Sequence, residues 1–117
     1  MSSQEQICKS YAYRITTVGR YNKTYVILDG KPVTPTKVEK NMGREIYCLS
    51  SDEWKRAIVI SLYRTKRGLR DIAIYLPFAE EKAREIAQKI YTYAKYSALT
   101  PDEVLDYTLS LLRDMNM

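Results

Sequence analysis

Residues 57–76 read AIVISLYRTKRGLRDIAIYL, and whether this stretch is a helix or a hairpin decides the fold. A helix has some support. Ser50 and Glu53 stand at capping-box spacing just ahead of it, and Arg64, Lys66 and Arg67 would fill its last turn before Gly68. The hairpin explains more. Ile58, Ile60 and Leu62 alternate with Val59, Ser61 and Tyr63. Across a loop of Lys66-Arg67-Gly68, Leu62 would face Ile72, Ile60 would face Ile74 and Ile58 would face Leu76, with Gly68 where such a loop needs left-handed backbone. On a helix the same apolar residues would spread nearly all round the axis. The pattern therefore predicts strands over Ala57–Arg64 and Leu69–Leu76, after a short helical turn at Ser51–Lys55. Ile60 and Ile74 should be buried, and Tyr63 and Tyr75 more exposed.

Upstream the chain also reads as strands. Alternation predicts a strand over Tyr11–Val18 and another over Thr24–Leu28. Asp29-Gly30 is a tight-hairpin dipeptide. The returning segment Lys31–Val38 carries Pro32 and Pro35, which donate no ladder hydrogen bond, so it is an edge strand or loop. A turn at Asn41-Met42-Gly43 precedes a strand over Arg44–Leu49.

Downstream of Pro77 the period changes. Ala79, Ala83, Ile86, Ala87, Ile90, Ala94 and Ser97 form a stripe at spacings of three and four, which predicts a helix over Phe78–Ser97. Thr100-Pro101-Asp102-Glu103 supplies a cap, a first-position proline and a capping box for a second helix, reaching about Met115. Its apolar band is broad. Leu105, Leu109 and Leu112 make one ridge, and Val104, Thr108, Leu111 and Met115 another. If only one ridge packs internally, the other faces solvent and marks an interface, a homodimer in the first instance.

The expected fold class is α+β: an antiparallel five- or six-stranded sheet in the N-terminal two-thirds, followed by two C-terminal helices. The 117 residues fit one domain, with residues 1–9 a flexible N-terminus, 10–77 a strand-rich basic part and 78–117 a helical hairpin. No apolar run approaches a membrane span, and the first ten residues lack a secretory pattern, so a cytoplasmic location is expected. Cys8 and Cys48 read as buried or half-buried thiols; a disulfide would fit an intracellular protein of a hyperthermophile, and the Arg, Lys, Glu, Ile and Tyr usage resembles such a source.

Charge and aromatic content suggest the function. Residues 1–78 hold 14 Lys/Arg against 7 Asp/Glu, whereas residues 79–117 hold 5 against 7. The basic excess sits entirely on the strand-rich part, which suggests a basic face. Arg64, Lys66, Arg67 and Arg70 cluster at the hairpin tip as a phosphate-binding candidate. Tyr63 and Tyr75 would stack unpaired bases beside them, with Arg14 and Tyr47 extending the surface. The chain has no histidine, which removes imidazole chemistry and the commonest zinc sites. Asp52, Glu53 and Asp71 form no metal pattern, and the glycines at 19, 30, 43 and 68 are scattered in turns. No catalytic role, metal or cofactor is expected. A single-strand-preferring nucleic-acid-binding homodimer is the leading expectation; a regulator or subunit docking on a protein partner through its C-terminal helix is the alternative.

Overall fold

The computed structural model describes residues 5–12, 21–40, 43–65, 68–97 and 100–115. The elements are β1 (Gln6–Ala12), β2 (Tyr21–Leu28), β3 (Lys31–Pro32), β4 (Lys37–Glu39), β5 (Arg44–Ser50), α1 (Ser51–Trp54), β6 (Ile58–Thr65), β7 (Gly68–Tyr75), α2 (Glu80–Ser97) and α3 (Pro101–Asp114). The α+β class holds, with strands first and two helices last.

The hairpin forms as the alternation requires. Ile60 lies opposite Ile74 and Leu62 opposite Ile72. Thr65 lies opposite Gly68, so the connection is two residues rather than the expected three, and Gly68 has a φ of 111°. The extra residue sits in the strand instead. Tyr63 faces Asp71 and Arg64 faces Leu69, which makes Arg70 a β-bulge. At the other hairpin, Asp29 and Gly30 both take positive φ (52° and 80°), the requirement of a tight two-residue turn.

The strands do not make one sheet. β1, β5 and β4 form a three-stranded sheet, and β3, β2, β6 and β7 a four-stranded one. The reason lies in β2 and β6, which are apolar on both faces. Ile27, Ile58, Ile60 and Leu62 turn toward the helices, where Ile86, Ile90, Val104 and Leu112 complete one core. Val26 and Val59 turn the opposite way and meet Tyr47, Leu49, Trp54 and Ala57 in a second core. Strands covered on both sides lose the clean polar–apolar alternation of a half-solvated sheet.

Two N-terminal expectations are corrected. Residues 6–9 are not a flexible tail, because Gln6–Lys9 belong to β1, paired along its length with β5. Their side chains are exposed, so no apolar run announces the strand. The expected strand over Tyr11–Val18 lies mostly beyond the described residues, of which Tyr11 and Ala12 end β1. Cys8 and Cys48, directly opposite each other in this pairing, form a disulfide rather than two thiols. The Trp54 indole N–H, supplied by the single turn of α1, donates to the Ile7 carbonyl at 2.7 Å and holds β1 from the inner side. Both arms of the Ser50–Glu53 capping box are present, at 2.9 and 3.1 Å, which gives Glu53 a structural role.

The helices follow their stripes. Ala83, Ile86, Ile90 and Ala94 bury one face of α2. α3 starts on its capping box, Thr100 with Glu103. Its two ridges are both internal: Val104, Leu105, Thr108 and Leu112 are buried, and Leu109, Leu111 and Met115 pack partly buried against the same core. The expected solvent-facing ridge is therefore absent, since α3 spreads its broad band over both α2 and the sheet end.

Candidate nucleic-acid interface

The three-stranded sheet is too small to cover all of the larger sheet behind it. Past Val26 and Val59, the face of β6 and β7 stays open toward the hairpin tip. There a groove of about 310 Å³ is lined by Tyr11, Thr24, Ser61, Tyr63, Asp71 and Ala73. Its floor is small and polar: Thr24 Oγ1 and Ser61 Oγ are 3.4 Å apart, within reach of a hydrogen bond. Its sides are aromatic. Tyr75 lies on the same face, two residues from Ala73, and is 55% exposed. Tyr63 is half-buried, more exposed than the fully buried Ile60; Ile74, expected to be buried, is only partly so, packed at the margin of the core.

Tyr11 closes the groove from the other sheet. Its ring meets Tyr47 edge-on at 5.7 Å and leans toward Trp54 at 6.4 Å, so two core aromatics hold it in place. Burial raises the Tyr11 hydroxyl above the usual tyrosine range, and the nearby Tyr75 adds to the shift. Asp71 contributes a carboxylate, one oxygen of which accepts the Ile72 amide at 2.8 Å.

The residues singled out from sequence divide clearly. Tyr63 and Tyr75 share the open face, and Arg70 is exposed on the bulge beside them. Arg14, Lys66 and Arg67 lie outside the described residues; Arg64 is in β6, but its side chain is not among those described. Tyr47 is corrected. It is only 2% exposed, and its hydroxyl donates to a Glu45 carboxylate oxygen at 2.6 Å, so it offers no outer surface. Burial first, then this acid, holds its proton far above the ordinary range. Leu105 and Leu112 are core residues; Leu109 is half-buried, and with the exposed Phe78 it lines a larger cavity of about 680 Å³ whose rim carries Asp29, Arg56 and Arg113.

Sequence reasoning missed Tyr11 as a groove residue, because its place depends on a sheet-to-sheet contact that no local period encodes. Among the described residues, no group of three or more Asp, Glu or Cys side chains is placed to hold a metal ion, and no helix is long and apolar enough to cross a membrane.

No protein-family model matches the chain, and comparison with curated proteins and with solved structures gives no significant match.

Proposed function

We propose that this protein binds single-stranded nucleic acid on the open end of its four-stranded sheet. The observation that carries the reading is the groove itself: Tyr11 and Tyr63 line it over a small polar floor, Tyr75 stands exposed on the same sheet face, and the sequence of the hairpin tip is rich in Lys and Arg. An exposed tyrosine offers a π-face to any base, and a cationic tip tracks the phosphates. A duplex buries its bases between its strands, so the groove favours unpaired ones. The role is binding, without catalysis or cofactor. Anisotropy titrations with labelled single- and double-stranded DNA and RNA at several salt concentrations test it. Tighter binding of single strands, weakening steeply with salt, supports it; binding absent at low salt refutes it.

The intracellular location belongs to the same proposal. The Cys8–Cys48 disulfide together with the charged, Tyr- and Ile-rich composition fits an intracellular protein of a hyperthermophile.

A second reading, self-association through α3, rests on the 680 Å³ cavity. Ile27, Ile58 and Leu112 form its floor, and Phe78, 49% exposed, stands at its side with Leu109. A second copy would cover this apolar surface, through Phe78 and Leu109 rather than through the buried Leu105 and Leu112.

A further inference from the structure

Beside the tyrosine groove, on the other side of β7, is a second cleft of about 390 Å³. Arg70, Asp71 and Ile72 form its strand side, and Arg84, Gln88 and Tyr91 its helix side. The helix residues are spaced by four and three, so they line one face of α2, next to the buried stripe of Ala83, Ile86 and Ile90. Ala87, small and half-buried, leaves the space between them open. The bulge matters here. It turns Arg70 and Asp71 outward in succession, where a regular strand would turn one of them into the core.

The cleft is rich in donors: two guanidinium groups, a carboxamide and a phenol. Arg84 has no ion-pair or hydrogen-bond partner among the described residues, so its full charge is available to an anion. Asp71 and Ile72 line both this cleft and the tyrosine groove, so the two sites meet at β7. The Asp71 carboxylate at that crest repels a phosphate lying directly above the sheet. The low-energy course for a nucleic-acid backbone is down the Arg84 side.

We propose that this cleft is the phosphate track of the binding site: Arg70 and Arg84 grip a phosphodiester of the single strand whose bases lie in the tyrosine groove, so the strand crosses β7 at the bulge. This rests on the proposed single-strand binding and adds to it a site on α2, outside the hairpin.

Two oligomers of equal length separate the terms, one of thymidines and one of abasic residues that keeps every phosphate and no base. Arg84→Gln should weaken both by the same factor, about five- to tenfold. It should flatten the log–log salt dependence by about 0.7. Lys89→Gln is the control, since Lys89 is on α2 but away from the cleft, 3.5 Å from Glu85; it should change little. Tyr75→Ala should weaken only the thymidine oligomer. Circular dichroism confirms that each variant is folded. If wild type binds while Arg84→Gln binds like wild type, or loses no more than Lys89→Gln, the cleft is not the track and single-strand binding stands. If Arg84→Gln weakens the thymidine oligomer but not the abasic one, the cleft holds no phosphate. Failure of wild type to bind either oligomer removes the proposed function and this inference together.

Discussion

Leu69 and Ile72, three residues apart in one β-strand, are both buried in the same core, each 8% exposed. A regular strand cannot do this, because its side chains alternate. The Arg70 bulge absorbs the extra residue. Deleting Arg70 should therefore leave a regular strand with Leu69, Ile72 and Ile74 still inward, and stability should change by only about 1 kcal/mol. Deleting Ala73 should turn Ile74 outward and unfold the domain. Thermal melts of the two deletions compare them directly; equal damage by both would remove the bulge from the account.

Arg70 and Tyr75 should fail in different ways as binding variants. Tyr75→Ala should cost on the order of 1–3 kcal/mol with little change in salt dependence, since stacking releases few ions. Arg70→Ala and Arg67→Ala should each weaken all sequences evenly and flatten the salt slope by about 0.7. Titrations at three salt concentrations distinguish the two patterns.

The disulfide closes a loop across a sequence separation of 40. In the chain-entropy model such a closure contributes about 4 kcal/mol. Cys8→Ser with Cys48→Ser, or reduction, should lower the melting temperature by roughly 15 °C in a chain of this size. β1 should be the first element to exchange its amide hydrogens, because only the Trp54–Ile7 hydrogen bond, the β5 ladder and the packing of Lys9 and Tyr11 on the inner aromatics would then hold it. An unchanged melting temperature would contradict this.

Alkali should act through Tyr47. Its folded pKa is raised above the value of about 10 that an unfolded tyrosine has. The stability it contributes is fully present below pH 10 and is lost as pH rises toward the folded value, by up to about 1.4 kcal/mol per pH unit. Tyr47→Phe has no proton to lose and should show a shallower decline. Denaturant unfolding at several alkaline pH values measures both slopes, and equal slopes would assign the loss to other groups.

Self-association gives a contrast within α3. Leu109→Asp should yield a folded monomer if a second copy covers the cavity, while Leu105→Asp and Leu112→Asp should unfold the chain, because each places a charge in the core. Sedimentation showing wild-type monomers at tens of micromolar would dismiss the dimer.

Local pattern made part of this molecule legible. The Ile60–Ile74 register, the Asp29-Gly30 turn, the Ser50 and Thr100 caps and the α2 stripe each depend on residues near one another in sequence. The division into two sheets is not read from the pattern, which points to one sheet, although two stretches carry its trace. Thr24-Tyr-Val-Ile-Leu28 and Ala57-Ile-Val-Ile60 are nearly continuous apolar runs, the mark of strands covered on both faces. What pattern does not encode is which distant strand covers which face. Tyrosine suits half-exposed positions, so local pattern puts Tyr47 at the surface; only the arrival of the second sheet over Val26 and Val59 buries it. Tyr11 and Arg84 reach the proposed site through contacts of that same long-range kind.

The doubly covered strand β6 has a consequence for how the chain is made. Its segment AIVISL, residues 57–62, is six residues without charge or proline, the composition of an aggregation-prone zipper. During synthesis the strands that shield its Val59 side have already emerged, whereas α2 and α3, which shield Ile58, Ile60 and Leu62, come last. Until they do, the nascent chain presents a bare greasy ribbon, and a truncation near Pro77 would leave it so permanently. The C-terminal helices thus act as a built-in chaperone for the hairpin whose tip and open face carry the proposed binding site.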